Sequence, residues 1–272
     1  MSSFGPLVSS RWLSDHLAED GLRVIDLRWY SDGRSGREAF EAGHIPGAVF
    51  IDLARDLTAP EGPGRHPIPG AAQFEEAMRT AGVDSGSRVI IYDDQGGFSA
   101  GRLWWLLRYY GHPAVALLDG GLSAWEGPLV TAAAPPLRGG FAAAVADSTM
   151  VVDREGVQAA EDGVFFDARA AERYRGEVEP LDAKAGHIPG ARNVPWRSNL
   201  DADWHFLPPA ELRQKYAAAK GHSVIAYCGS GVSACVDLLA LELAGIGGAR
   251  LYEGSWSDWS RQDLPVETGE EP

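Results

Sequence analysis

The sequence predicts an α/β protein of two tandem domains, each a mostly parallel sheet flanked by helices. Three observations predict it. Ala42-Gly-His-Ile-Pro-Gly-Ala48 recurs letter for letter as Ala185-Gly-His-Ile-Pro-Gly-Ala191. The surrounding matches keep their order: Val24-Ile-Asp-Leu-Arg28 with Phe165-Phe-Asp-Ala-Arg169, Val89-Ile-Ile-Tyr92 with Val224-Ile-Ala-Tyr227, and Leu118-Asp-Gly-Gly121 plus Trp125 with Tyr252-Glu-Gly-Ser255 plus Trp259. One unit of about 130 residues therefore occurs twice, well beyond the roughly 20–50-residue period of a solenoid. Second, the short apolar runs do not alternate with polar residues, as expected of parallel strands covered on both faces. Third, helical patterns separate these runs, which is the order of a parallel α/β sheet.

Along the first repeat, Ser10–Glu19 reads as a helix, Val24–Leu27 as a strand, Ala72–Thr80 as a helix, Val89–Tyr92 as a strand, Ala100–Tyr110 as a helix and Val115–Leu118 as a strand. The second repeat follows with Arg154–Glu161, Pro209–Ala219 and Ser233–Leu243 as helices, and Val164–Phe166, Val224–Tyr227 and Ala249–Tyr252 as strands. Between the repeats, Thr131-Ala-Ala-Ala-Pro-Pro136 through about Met150 is rich in Ala, Pro and Gly and reads as a linker. The predicted domains are residues 1–130 and 150–272, joined by 131–149.

Composition narrows the function. Hydrophobic residues make up 45% and charged residues 23% of the 272, a globular balance. A net charge of −14 argues against nucleic acid or an anionic membrane as a bulk partner. It leaves room for a small anionic substrate in a locally positive pocket. No apolar run reaches the roughly 18 residues of a membrane span, and Met1–Pro6 lacks the basic and apolar regions of a signal peptide. Two cysteines in a chain this long make no disulfide framework. A reducing cytoplasm is the expected location.

Cys228 carries the chemistry. It lies between the apolar run Val224–Tyr227 and the helical stretch Ser233–Leu243, in Cys228-Gly-Ser-Gly-Val-Ser-Ala234. Backbone amides converge at a helix start and the helix dipole is positive there, which favours a thiolate over a thiol. At such positions a cysteine pKa can fall from about 8.5 to roughly 3.5–7.5. Gly229, Ser230 and Gly231 let the backbone curl around the sulfur and around an anion attached to it. Cys228 thus reads as a nucleophile.

With the paired AGHIPGA motif, the LLDGG-x-x-x-W and Gly254-Ser-Trp-Ser-Asp-Trp259 segments and the CGSGVSA loop in view, the chain resembles the tandem-domain rhodanese-type sulfurtransferases from about Leu7 to Trp259. The resemblance implies two rhodanese-like domains with the catalytic cysteine in the second copy. The aligned position of the first copy is Asp93, which has no thiol, so that copy is expected to be catalytically silent. It also implies a reaction: a sulfane sulfur passes from a donor to Cys228, giving a persulfide, then to cyanide or a thiol. Covalent catalysis of this kind splits one difficult transfer into two, and backbone donors from Gly229, Gly231, Val232 and Ser233 would hold the anionic persulfide.

A loop without charge resembles the 3-mercaptopyruvate enzymes more than those acting on thiosulfate. Physically, a neutral loop forgoes a Coulomb attraction of about 4 kcal/mol for a second negative charge near 4 Å at an effective dielectric of 20. The resemblance further implies that Ser230 works with a first-domain histidine and aspartate, matched here by His44 and Asp32, to manage protons. Arg173 matches the first of two arginines for the substrate carboxylate and keto oxygen. The second should follow about nine residues later, where Glu179-Pro-Leu-Asp182 has no arginine. Arg175, Lys184 and Arg192 are the candidate replacements, and thiosulfate stays open as donor. Neither metal nor organic cofactor is implied; the partners are a small sulfur donor, a thiol or cyanide acceptor, and a thioredoxin-like reductant as a candidate.

Other features have plainer readings. Cys235, about two helical turns beyond Cys228, reads as core, and the spacing of the two cysteines does not suit zinc. His187, Asp26, Asp167 and Asp52 read as structural anchors, Trp104–Tyr110 as helix packing, and Gly96-Gly97 lacks the lysine of a phosphate loop. Glu267–Pro272 reads as a solvated end. Two rival functions remain in view. A Cys-x5-Arg phosphatase would need arginine at position 234, which is Ala, leaving phosphoryl charge without its bidentate partner. A protein-to-protein sulfur carrier would use Cys228 with little turnover of free donors.

Overall fold

The computed structural model describes residues 5–132, 135–160 and 162–270. Met1–Phe4, Ala133 and Ala134 of the linker, Glu161 at the expected end of a helix, and Glu271–Pro272 of the expected solvated end lie outside the described residues.

The first repeat runs β1 (Leu7–Val8), α1 (Ser10–His16), β2 (Leu22–Asp26), α2 (Gly36–Ala42), β3 (Val49–Phe50), α3 (Leu53–Asp56), α4 (Ala71–Thr80), β4 (Arg88–Tyr92), α5 (Ala100–Tyr109) and β5 (Val115–Leu118). The second runs β6 (Val151–Val152), α6 (Arg154–Ala159), β7 (Val164–Asp167), α7 (Ala171–Tyr174), β8 (Arg192–Asn193), α8 (Pro209–Lys215), β9 (Val224–Tyr227), α9 (Ala234–Leu243), β10 (Arg250–Tyr252) and α10 (Ser255–Trp259). Each forms a five-stranded parallel sheet with the same strand order, β1-β5-β4-β2-β3 and β6-β10-β9-β7-β8. The inner strands β4, β5 and β9 are buried almost throughout. So are the central helices over Ala100–Leu107 and Ala234–Leu241, including the charged Arg102 and Asp237 within them.

The strands that periodicity missed, β1, β3, β6 and β8, are two residues long, too short to carry a pattern. The four- and five-residue helices α3, α7 and α10 escaped for the same reason; α2, seven residues long, was also not read. Helix α1 stops three residues before the expected Glu19, with the His16 ring nitrogen Nδ1 on the Trp12 carbonyl at 2.7 Å.

The duplicated motif is structural. After β2, Arg28 binds Asp26 bidentately (Nε–Oδ1 3.1 Å, Nη2–Oδ2 2.6 Å) and reaches the Gly43 carbonyl at 2.8 Å. After β7, Arg169 repeats this with Asp167 (3.0 and 2.6 Å) and the Gly186 carbonyl (2.6 Å). Each guanidinium therefore ties the end of an inner strand to an AGHIPGA turn. The Ile45 and Ile188 amides donate to the hydroxyls of Tyr92 and Tyr227, each at 3.2 Å. Gly47 and Gly190 take φ of +77° and +75° after a proline, the turn position that only glycine fills cheaply. These latches explain why seven letters repeat.

The chain divides into two compact units: Met1–Thr58 with Pro69–Ala146 and Ala202–Phe206, and Ala59–Ile68 with Asp147–Asp201 and Leu207–Pro272. The division departs from the sequence boundaries in three places. The segment between α3 and α4 belongs with the second sheet, five residues of the second repeat belong with the first sheet, and most of the linker joins the first unit. There the linker is anchored by Phe141, 1% exposed, whose amide donates to the Val83 carbonyl at 3.0 Å. A single buried aromatic gives little compositional warning. Among the described residues, no helix is long and apolar enough to cross a membrane.

One buried carboxyl gives a stability prediction. Asp237 on α9 is fully buried and accepts from Asn199 Nδ2 at 2.8 Å. Burial pushes its carboxyl well above the ordinary range, with the nearby Cys228 contributing. Above the unfolded value near 3.9, the unfolded chain ionises this group while the folded chain holds its proton. The folded state then binds more protons, so its stability falls as pH rises through that window. Asp237→Asn keeps the acceptor for Asn199 and removes this slope. Its melting temperature should exceed that of the wild type increasingly as pH rises above about 4; parallel curves would refute the assignment.

Candidate active site

Cys228 opens the six-residue turn between the end of β9 at Tyr227 and the start of α9 at Ala234. Its side chain is 2% exposed, and the Gly231 amide donates to Sγ at 3.2 Å. Gly231 takes φ +77°, the left-handed region where glycine carries no Cβ penalty. Helix α10 braces the turn from behind. The Trp256 and Ser257 amides donate to the Cys228 and Gly229 carbonyls, each at 2.9 Å. The Cys228 amide donates to Ser255 Oγ at 3.2 Å, and that hydroxyl donates to the Tyr252 carbonyl at 2.9 Å. Ser255 itself sits at φ +52°, a conformation costing about 1–3 kcal/mol that persists because its neighbours over-determine it. No side chain caps α9; its Cys235 and Val236 amides close back onto the Val232 and Ser233 carbonyls at 3.1 and 3.0 Å.

The first repeat shows what that loop does with a built-in anion. Asp93 Oδ1 accepts from the Gln95 and Gly97 amides at 2.9 and 2.8 Å, and Oδ2 from the Ser99 and Ala100 amides at 2.9 and 3.0 Å. Burial raises this carboxyl above its ordinary range while the same amides pull it down. The carboxylate thus fills a cradle at the start of α5, and this loop holds no sulfur.

Polar and charged groups gather beside Cys228. Ser230 Oγ lies 2.7 Å from His66 Nδ1. Arg173 pairs with Glu179 at 2.7 Å and Asp182 at 3.1 Å, and Arg65 also pairs with Asp182. A Cβ built on Gly229 would meet Arg65 Nη2 at 2.8 Å and Arg173 Nη1 at 3.4 Å, so both guanidinium groups lie directly against the residue after the cysteine. Arg65 and His66 come from the segment between α3 and α4. That segment closes on itself through Ala59 N to Pro67 O at 3.0 Å and docks on the second unit through Arg65 N to Ser257 Oγ at 3.0 Å. At Gly64, φ +73°, a Cβ would lie 2.5 Å from the Gly254 carbonyl, so the approach requires glycine.

Several expected positions fall elsewhere. The histidine on Ser230 is His66, not His44. His44 is buried in the first unit, stacked on Phe40 at 3.8 Å between ring centroids, with Nδ1 on the Phe40 carbonyl at 2.8 Å. His187 does the same on Tyr174, at 3.7 and 2.8 Å. Both histidines of the repeated motif pin a turn. Asp32 is also not brought to Ser230: it lies exposed in a surface turn, taking the Arg34 amide at 3.1 Å and its Nε at 2.9 Å, which hold its carboxyl below the ordinary range. Arg175 pairs with Glu177 at 2.8 Å, and Lys184 donates to the Gln262 carbonyl at 2.7 Å. Arg192 is exposed on β8. The second cation near Cys228 is Arg65 instead. The only signal for Arg65 and His66 was a basic pair inside the Pro- and Gly-rich stretch Gly62-Pro-Gly-Arg-His-Pro67.

Two repeated five-stranded parallel sheets, with a cysteine at the loop of one and a carboxylate at the loop of the other, define a tandem-repeat α/β enzyme whose thiol loop lies in the second repeat. The rhodanese-like domain family matches residues 9–128 and 154–262. A Pseudomonas aeruginosa protein named a probable 3-mercaptopyruvate sulfurtransferase is 43% identical, over 98% of this chain and all of that one. A Mycobacterium tuberculosis protein provisionally named a thiosulfate sulfurtransferase is 40% identical over 89% of each. The crystal structure of the Escherichia coli 3-mercaptopyruvate sulfotransferase SseA matches with a TM-score of 0.83 and 36% identity, covering 93% of this chain and 99% of that one. The chain belongs to the rhodanese family and is a sulfurtransferase.

Proposed function

We propose that the enzyme takes sulfur from 3-mercaptopyruvate onto Cys228 and passes it to a thiol. The Cys228 thiolate attacks the donor sulfur, the carbon–sulfur bond breaks, and the electron pair leaves on carbon as the enolate of pyruvate. A proton converts the enolate to pyruvate, and Cys228 holds a persulfide. An acceptor thiolate then attacks the outer sulfur and restores the Cys228 thiolate. Gly231 N–H, already on Sγ, and the amides of Gly229, Val232 and Ser233 stabilise the persulfide anion. Arg173, whose Nε and Nη2 are held by Glu179 and Asp182, binds the donor carboxylate through Nη1. The two free cysteines suit a reducing cytoplasm, where a thioredoxin-like dithiol would serve as acceptor and cyanide as an assay substitute.

The Ser230–His66 pair carries the choice of donor. At 2.7 Å it forms a hydroxyl–imidazole relay two residues from the nucleophile. A carbon leaving group must be protonated. Thiosulfate instead releases sulfite, which is stable as an anion and needs no relay. The relay therefore favours mercaptopyruvate over thiosulfate.

The test is intact-mass measurement after incubation with each donor without acceptor. Mercaptopyruvate should add about 32 Da to Cys228 and release one equivalent of pyruvate; absence of the adduct would end this reading. Arg173→Ala should raise the KM for mercaptopyruvate roughly tenfold or more with a smaller change in kcat. Unchanged kinetics would remove Arg173 from the donor site.

A further inference from the structure

We propose that Arg65, held by Asp182, completes with Arg173 the anion site that selects the donor's carboxylate. The inference rests on the mercaptopyruvate reading above. Six charges alternate in one chain through the second unit. Asp167 pairs with Arg169 at 2.6 Å, Arg169 with Glu179 at 3.3 Å, Glu179 with Arg173 at 2.7 Å, Arg173 with Asp182 at 3.1 Å, and Asp182 with Arg65. The chain begins at the end of β7 and ends against Gly229. Its carboxylates are sunk, with Glu179 4% and Asp182 1% exposed. The guanidinium groups at its far end stay open, Arg173 at 19% and Arg65 at 24%. The buried carboxylates hold the guanidinium groups while the arginine side chains stay partly exposed.

Backbone contacts fix Arg65 to the nucleophile loop. Ser257 donates its amide to the Gly229 carbonyl at 2.9 Å and accepts the Arg65 amide on Oγ at 3.0 Å. One serine therefore ties Arg65 to the residue beside Cys228. Arg173 Nε and Nη2 are held by Glu179 and Asp182, and Arg65 Nη1 by Asp182; the nitrogens set against Gly229 are Arg173 Nη1 and Arg65 Nη2, one donor from each guanidinium for a carboxylate and its adjacent keto oxygen. Three guanidinium groups balance three carboxylates along the chain. The site thus offers directed hydrogen bonds without excess positive charge, which favours a planar monoanion over the tetrahedral dianion thiosulfate.

The test measures steady-state kinetics with mercaptopyruvate and with thiosulfate, and inhibition by pyruvate, which retains the carboxylate and keto oxygen. The variants are Arg65→Ala, Arg65→Lys, Asp182→Ala and the double variant Arg65→Ala/Asp182→Arg. Arg65→Ala should raise the KM for mercaptopyruvate and the Ki of pyruvate about 10- to 100-fold, with kcat and its pH profile little changed and the thiosulfate KM within a few-fold. Arg65→Lys keeps the charge but loses the fork, and should fall between. Asp182→Ala should show part of the loss, and the double variant, which returns a guanidinium from position 182, should recover part of it. If Arg65→Ala fails to fold, the lysine variant decides. Wild-type KM and Ki in both Arg65 variants, with Cys228 still loaded by mercaptopyruvate, would overturn the role of Arg65 and leave the donor reading standing. A wild-type enzyme that mercaptopyruvate does not load would overturn both.

Discussion

Cys228→Ser should abolish sulfur transfer from mercaptopyruvate and thiosulfate alike, lowering kcat/KM by at least about 10⁴-fold. The expected loss is chemical rather than structural. The side chain is 2% exposed, and a serine oxygen can take the Gly231 amide that now meets sulfur. Serine does not ionise at neutral pH and cannot hold a persulfide. Circular dichroism and the melting temperature should stay close to wild type while pyruvate release and the mass adduct vanish. Cys235→Ser is the matched control. Its sulfur is fully buried on α9 and donates to the Gly231 carbonyl at 3.4 Å, so turnover should persist. Turnover retained by Cys228→Ser, or lost only in Cys235→Ser, would mean that the nucleophile has been misassigned.

His66→Ala should lower kcat for mercaptopyruvate about 10²- to 10³-fold, the range of a positioned proton donor, and Ser230→Ala should follow it. With thiosulfate as donor, both variants should stay within a few-fold of wild type, because sulfite leaves without a proton. His44→Ala should behave oppositely. Removing a ring stacked on Phe40 and bonded to the Phe40 carbonyl should lower the melting temperature and leave kcat nearly intact. The comparison needs both donors and all three variants. Equal losses on the two donors would sink the relay, as would a folded His44→Ala enzyme with a lost kcat.

The frame of the fold was readable from local pattern. Continuous apolar runs marked β4, β5 and β9 because both faces of an inner parallel strand are covered. The repeated heptapeptide marked the duplication, since the same latch of arginine, tyrosine and histidine must be built twice. That repetition also misled: His44 drew attention as a reactive candidate when its identical copy, His187, already pointed to a structural task. Two-residue edge strands left no periodic trace, and the linker joins the first unit through the buried Phe141 and backbone bonds such as Gly139 to Arg79 and Ala144 to Tyr110.

The proposed nucleophile, Cys228, was legible for a local reason. A cysteine between a buried strand and a buried helix, among small residues, is a short-range pattern that the backbone must turn into an amide-lined loop. Asp93 was legible in the same way, as the letter that replaces the thiol in the first copy. His66 and Arg65 were not, because neither lies near Cys228 in sequence. Their position depends on Gly64 abutting the Gly254 carbonyl and on Ser257 bridging Arg65 to Gly229, contacts between segments about 190 residues apart.

The sequence by itself determined the two parallel sheets, the duplicated latches and the position of the thiol, since each follows from hydrophobic coverage, turn chemistry or a helix start within a few residues. Only the tertiary structure decided which histidine meets Ser230 and which second guanidinium lies against Gly229. Those partners are chosen by the docking of one loop, and the free energy of that docking is spread over contacts that no local window of the chain contains.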